Sequence, residues 1–360
     1  MKHFLINFFL NIFFILPNWA LKVLTLRKEI TYKNEVFDYQ SMIYISFISW
    51  FITKFGLALD MADFSNDMRV KMSNFRMKIN NNHLPKKTIN KEDHIIDKKN
   101  NLVLRQYSLE SQMSDKAVLF FHGGGYAISN IDVYNPVVSL MCEELDSNIF
   151  SLEYSLSPEN KFPKALEEAN IAFDWLINHG YSKEQIIICG DSAGAHLAAS
   201  LLHDLKARDE GLPFLQVLIY PMVSPSLDFP SLERLGENFL LTKEQMKWFW
   251  HYFRAEEANN LDSRFDLLKI DNNNKFDTKT VIITAGFDPL CDEAEAYAAK
   301  LNDMGKNVKQ IHYPSLFHSF INITRLKTAK LATMDIFCLL YTSDAADEGL
   351  GVDLGGRRII

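Results

Sequence analysis

The sequence predicts an α/β fold, a mostly parallel central sheet flanked by helices and covered by a helical cap. Three observations carry this. From Leu102 onward, short apolar runs alternate with segments of helical period, the rhythm of strands joined by helical crossovers. The pentapeptide Gly190-Asp191-Ser192-Ala193-Gly194 lies between the apolar run Ile186–Cys189 and the helix-like run Ala195–Leu202. The buried-strand run Ala117–Phe121 leads straight into His122-Gly123-Gly124-Gly125.

Residues 1–80 are rich in Phe, Ile and Met and lack strand punctuation, so they read as an N-terminal helical cap. Within them Phe4–Leu16 is apolar, follows Lys2 and His3, and ends at Pro17. It holds two Asn and is short for a membrane span, which needs about 20 residues. Three readings stand: a helix on a membrane surface or over the substrate pocket, a signal sequence, or an anchor. Localisation follows them, cytoplasmic or membrane-associated by the first, exported or anchored by the others. Ser41–Ile52 carries bulky residues on every side and reads as a buried helix or a lid element.

A polar, Asn/Lys-rich link over 80–101 then opens the core, residues 81–337. Strands are expected at Leu102–Tyr107, Ala117–Phe121 and Asn148–Leu152. After Pro163, the apolar residues Ala165, Leu166, Ala169, Ala172, Phe173 and Leu176 recur at three- and four-residue spacing, which predicts a helix. The strand and helix around Ser192 follow, then a strand at Leu215–Tyr220. Alternation stops over about 222–277, where an aromatic helix, Lys243–Phe253, reads as an inserted second part of the cap. The core resumes with a strand at Thr280–Thr284, a helix from Glu293 to Met304 ended by Gly305, and a strand at Val308–Tyr313.

Residues 338–360 are expected to be foreign. CLLYTSDAADE is similar to a translated transposon-type sequencing adaptor, and GVDLGGRRII to the matching flow-cell adaptor. On that reading the natural chain continues differently after Phe337. Without this stretch the net charge moves from −7 to −5. A mildly acidic chain with no basic block carries no electrostatic footprint for nucleic acid. Cys142, Cys189 and Cys291 remain, an odd and widely spaced set that forms neither a disulfide framework nor a zinc pattern.

The chemistry follows from residue types. A serine hydroxyl needs an adjacent base and exposure to substrate. A strand-to-helix elbow supplies exposure by forcing Ser192 into a strained backbone, and Gly190 and Gly194 leave room for it. G-x-S-x-G alone arises by chance roughly one time in ten in such a chain; its strand and helix flanks make it specific. Attack on a carbonyl creates an oxyanion, for which Gly123, Gly124 and Ala193 are expected to present N–H donors. Among ten His, His318 follows the last strand in a loop and is the expected base. His196 and His203 lie on a helix and His312 in a strand, and His122 is expected to organise the glycine loop, with Gly125 and Asp191 in support. Asp288, just after a strand, is the expected orienting acid. Its rivals Asp292 and Glu293 are explained as charges at a helix N-terminus.

These motifs together resemble the hormone-sensitive-lipase-like branch of the α/β-hydrolase superfamily. Tyr154-Ser155-Leu156-Ser157-Pro158-Glu159, followed by Phe162–Ala169, is similar to the family's YRLAPE…FPAALED, and Asp288–Glu293 to its DPLRDE. The resemblance runs from about Lys116 to Phe337. It implies an α/β-hydrolase fold, a triad of Ser192, Asp288 and His318, and cap segments that form an acyl-binding lid. It also implies a serine carboxylesterase acting on small-molecule esters without metal or cofactor. Alternatives are an amidase or deacetylase or a lipase with the same triad, or a non-catalytic receptor on this fold. The chain departs from the pattern at Ser155 and Cys291, each in place of an Arg, which is expected to cost two ion pairs. A third departure is Ser319, in place of a Gly.

Overall fold

The computed structural model describes residues 13–26, 28–54, 66–79, 83–111, 114–271, 276–341 and 358–359. Its strands are β1 (Thr31–Tyr32), β2 (Glu35–Val36), β3 (Asn90–Asp97), β4 (Leu102–Ser108), β5 (Ala117–Phe121), β6 (Asn148–Glu153), β7 (Ile186–Asp191), β8 (Leu215–Ile219), β9 (Lys279–Phe287), β10 (Val308–Phe317) and β11 (Arg358–Ile359). β1 and β2 form a small hairpin, and the other nine join in one sheet of order β11-β10-β9-β8-β7-β5-β6-β4-β3. From β10 through β6 every neighbouring pair is parallel; β4, β3 and β11 are antiparallel to their neighbours.

The apolar strand runs are continuous because the sheet is covered on both faces. Side chains alternate between two cores. In β5, Ala117, Leu119 and Phe121 enter one core while Val118 and Phe120 enter the other. In β7, Ile186 and Ile188 part from Ile187 and Cys189 in the same way. The first core is completed by the helices Lys164–Asn178, Ala193–Ala207 and Cys291–Asp303, with the aromatic helix Lys243–Phe253. Tyr39–Lys54, Ile131–Leu145 and Lys327–Tyr341 complete the second.

Three elements depart from expectation. The hairpin β1–β2 interrupts residues 1–80, which were expected to be helical throughout, with the turn residues Lys33 and Asn34 at positive φ between its strands. The polar link contains β3, a mostly exposed edge strand. It has no alternating apolar face, and backbone pairing to β4 holds it. Its charges suit an edge, where they discourage pairing with another chain; Arg105 of β4 binds Asp93 through two nitrogens, at 2.6 and 2.9 Å. The helix Ile131–Leu145 also lacked a sequence signal, since Pro136 interrupts its period. Asn130 caps it by accepting the Val133 N–H at 2.9 Å.

The apolar segment 4–16 lies mostly outside the described residues. Beside it, the short helix Asn18–Leu24 exposes Trp19, Val23 and Leu24. Among the described residues no helix is long and apolar enough to cross a membrane. Of the expected foreign tail, Cys338–Tyr341 form the last turn of a helix, and Leu339 and Leu340 are buried in the second core.

Candidate active site

All four sequence motifs sit at the same edge of the sheet, because each follows the carboxyl end of a parallel strand. The glycine loop follows β5, Ser192 follows β7, Asp288 follows β9 and His318 follows β10. Register sets their spacing: Phe121 is paired with Gly190, which puts the glycine loop beside the elbow.

Ser192 occupies φ 54°, ψ −120°, the strained turn between β7 and the helix Ala193–Ala207. Its N–H donates to the Ile219 carbonyl at 2.9 Å, tying the turn to β8. A Cβ on Gly190 would lie 2.3 Å from the Gly194 carbonyl oxygen, and one on Gly194 would lie 2.0 Å from that of Phe121. Any larger residue at either position pushes the helix off the strand.

Ser192 Oγ lies 2.9 Å from His318 Nε2, and His318 Nδ1 lies 2.8 Å from Asp288 Oδ2. A carboxylate only accepts, so Nδ1 carries the proton and Nε2 is left to receive one from the serine. Asp288 is fully buried, and its other oxygen accepts the Leu290 N–H at 2.8 Å. The rival acids are committed elsewhere. Glu293 accepts the Val223 N–H at 2.6 Å, and Asp292 accepts the Ser231 N–H at 2.8 Å and pairs with Lys33.

The glycine loop differs from expectation in one donor. The Gly123 N–H, expected to face an oxyanion, donates instead to Asp191 Oδ1 at 2.7 Å. Gly124 and Gly125 line the cleft over Ser192 in its place. A Cβ on Gly125, whose φ is +61°, would lie 2.3 Å from the ring of Phe249. His122 is buried, its ring stacked on Tyr154 with centroids 4.3 Å apart. Burial lowers its pKa to about 4, so it is neutral, and its Nδ1 lies 2.9 Å from the Gly123 carbonyl. Tyr154 donates to the His122 carbonyl at 2.6 Å.

Sequence reasoning missed the hydroxyls that hold Asp191. Tyr134 and Tyr220 donate to its Oδ2 at 2.9 and 3.2 Å. Tyr134 sits on the helix that gave no signal, and nothing in the spacing of either tyrosine marks it. Of the three departures, Ser155 keeps its acid satisfied: its N–H and hydroxyl both donate to Glu168, and Lys164 lies 3.4 Å away. Ser319 takes the left-handed conformation, φ 68°, that a glycine would hold without strain.

Walls from two separate parts of the chain enclose the cleft. Ile48, Met72 and Phe75 come from the N-terminal helices, and Leu241, Gln245 and Phe249 from the segment 222–277.

Residues 118–322 match the family described as alpha/beta hydrolase fold. The chain belongs to that family. A carboxylic ester hydrolase, LipN, of Mycobacterium tuberculosis is 34% identical over 233 residues, 62% of this chain and 61% of that protein. An ethyl acetate hydrolase of Pseudomonas putida is 30% identical over 218 residues, 59% of this chain and 68% of that protein. The chain thus spans about three fifths to two thirds of the length of these relatives. A hyperthermophilic esterase from Pyrobaculum calidifontis superposes with a TM-score of 0.74 at 25% identity, covering 84% of this chain and 98% of that one. An esterase of the bacterial hormone-sensitive lipase family superposes at 0.73 with 21% identity, over 83% and 97% of the two chains, a likeness of fold. The resemblance read from the motifs stands at the level of this α/β-hydrolase family.

Proposed function

We propose that this member of the α/β-hydrolase family is a serine carboxylesterase of short-to-medium acyl esters. The observation that carries the reading is the chain of contacts Ser192 Oγ to His318 Nε2 to Asp288, 2.9 and 2.8 Å, at the floor of an apolar cleft. Ser192 Oγ attacks the ester carbonyl as its proton passes to His318 Nε2, and Asp288 stabilises the imidazolium. The N–H groups of Gly124, Gly125 and Ala193 receive the oxyanion, beside the N-terminus of the helix Ala193–Ala207, where the dipole favours negative charge. Each such donor is worth about 3–4 kcal/mol in the transition state. Collapse expels the alcohol, which takes the proton from His318. Water then repeats the sequence on the acyl-enzyme: His318 takes its proton, the hydroxide attacks the acyl carbonyl, and collapse releases the acid and returns the proton to Ser192 Oγ.

Residues 1–80 and about 222–277 act as the two halves of the cap in this reading, and their side chains limit the acyl pocket. That the Pseudomonas relative is an ethyl acetate hydrolase agrees with a short acyl group. The apolar segment 4–16 is read as a surface or cap helix, supported by exposed Ile15 at its end and exposed Trp19 and Leu24 just after it. Co-flotation of the full chain with anionic vesicles, lost on replacing Trp19 by Ser, would separate the membrane surface from the pocket.

The test is hydrolysis of p-nitrophenyl esters of graded chain length. Ser192→Ala should lower kcat roughly 10⁴-fold or more. Equal activity in the two proteins removes the nucleophile assignment, and a maximum at long acyl chains overturns the predicted preference.

A further inference from the structure

Outside the catalytic cleft, one cluster brings together a thiol, a carboxylate and an imidazole. Cys291 and Glu295 lie one turn apart on the helix Cys291–Asp303, so both point from the same face. Facing them is His312 of β10, paired in register with Thr284 of β9. Cys291 Sγ lies 3.5 Å from Glu295 Oε1, and His312 Nδ1 lies 3.8 Å from the same oxygen. All three donor atoms fall within 4.8 Å of one another, with Cys291 and His312 buried and Glu295 partly so. We propose that Cys291, Glu295 and His312 form a binding site for one divalent zinc-type ion.

Distances support tetrahedral ligation. Zinc bonds of 2.0–2.3 Å at the tetrahedral angle set neighbouring donors about 3.3–3.8 Å apart, and two of the three separations here meet that spacing. The donor set suits a borderline-soft ion and suits magnesium or calcium poorly, because those ions prefer all-oxygen shells. A second layer is also present. His312 Nε2 lies 3.0 and 3.1 Å from the two oxygens of Glu35, so the ring donates its Nε2–H to that buried carboxylate. This arrangement fixes the ring and leaves the Nδ1 lone pair for the metal. Nδ1 now accepts from Thr284 Oγ1 at 2.8 Å, a hydroxyl that can rotate away. Lys33 sits 3.6 Å from Glu295 Oε2, leaving Oε1 turned toward the thiol. On binding, the Cys291 thiol releases its proton to solvent. The thiolate and the Glu295 carboxylate then balance the two charges of the ion, and water takes the fourth position.

The placement gives the site a purpose. Cys291 lies three residues after Asp288, and β10 runs straight into His318. One ion would therefore pin the loop carrying the acid to the strand carrying the base, with the N-terminal hairpin attached through Glu35.

The experiment uses the full chain carrying Ser192→Ala, which makes it independent of hydrolysis. Zinc chloride is titrated against a competing chromogenic chelator, and cobalt(II) serves as the optical probe. One equivalent of zinc should bind, and cobalt(II) should show a near-ultraviolet thiolate-to-metal band. Cys291→Ser should abolish the band and weaken zinc binding roughly 100-fold or more. Glu35→Gln should retain the band and weaken binding about 10- to 100-fold, the range for second-layer partners. No stoichiometric uptake, or uptake and band unchanged in Cys291→Ser, overturns the site. Should Cys291→Ser fail to fold, Glu295→Gln decides: undiminished affinity there overturns it equally.

Discussion

Ser192 is positioned by the backbone, but the donors beside it depend on one buried carboxylate. Asp191 gathers the Gly123 N–H and the hydroxyls of Tyr134 and Tyr220, joining the glycine loop to the helix Ile131–Leu145 and to the end of β8. Burial raises its pKa, while the Tyr134 hydrogen bond, Arg76 and the Gly123 N–H pull in the opposite direction. Asp191→Asn puts an amide donor where one acceptor oxygen stood, so either the Gly123 N–H or the pair of tyrosine hydroxyls loses its acceptor. We expect kcat to fall roughly tenfold to a hundredfold as the glycine loop shifts, with a stability loss of about 1–3 kcal/mol. Steady-state kinetics and urea unfolding check this, and an unchanged kcat would show that the loop holds its shape unaided. The motif made Ser192 legible in the sequence, and loop position did the same for Asp288 and His318. It could not reveal what Asp191 holds, because both tyrosines come from distant segments. The Gly123 donor was misjudged for the same reason: its acceptor is a side chain across the elbow.

At the scale of elements, two histidines dock the segment 222–277 onto the helix that follows Ser192. His196 Nε2 donates to the Phe265 carbonyl at 2.8 Å, and its Nδ1 accepts from Tyr126 at 2.7 Å. One turn pair further along, His203 Nδ1 donates to the Ser263 carbonyl and Nε2 accepts from Tyr297, both at 2.8 Å. Each ring is thus held neutral, and burial lowers both pKa values to about 4. The unfolded chain binds a proton at each below about 6.5, whereas the folded chain resists until about 4. The stability these rings contribute is therefore whole above pH 6.5 and is lost as pH falls toward 4. His203→Gln removes one such group, so its cost should be greatest at pH 7 and shrink by roughly 3 kcal/mol on going to pH 4. Urea unfolding across that range measures it, and a cost independent of pH would show that His203 titrates normally. The aromatic helix Lys243–Phe253 begins at a reciprocal box, Gln245 N–H to Thr242 Oγ1 at 3.1 Å and Thr242 N–H to Gln245 Oε1 at 2.9 Å. Thr242→Ala should cost about 1 kcal/mol, read as a lowered Tm. Elements with a strong period were readable from sequence, including this helix from Lys243 to Phe253. β3 was not, because an exposed edge strand is held by backbone pairing, which leaves no hydrophobic signature.

For the molecule as a whole, the decisive fact is that the cleft belongs to no single segment. Ser192 follows a strand of the sheet, and Phe249 of segment 222–277 and Phe75 of the N-terminal helices are more than 170 positions apart in sequence. Segment 222–277 is held firmly: Phe253 stacks on Tyr126 at 3.7 Å, directly beyond the glycine loop, and packs against Phe265 and Phe162. Acyl-chain selection should then be set by whichever wall is cut back. Phe249→Ala removes the ring that closes over Gly125, and Phe75→Ala cuts back the wall built by the N-terminal helices. Each deletion frees space for additional methylenes, worth about 0.8 kcal/mol of apolar burial apiece. The optimum in a p-nitrophenyl ester series should therefore move to longer acyl groups in both variants, with kcat on the shortest ester less affected than KM. If Phe249→Ala lowers activity on every ester equally, the ring serves to hold the glycine loop rather than to bound the substrate. If Phe75→Ala leaves the profile unmoved, the N-terminal helices cover the cleft without touching the acyl chain.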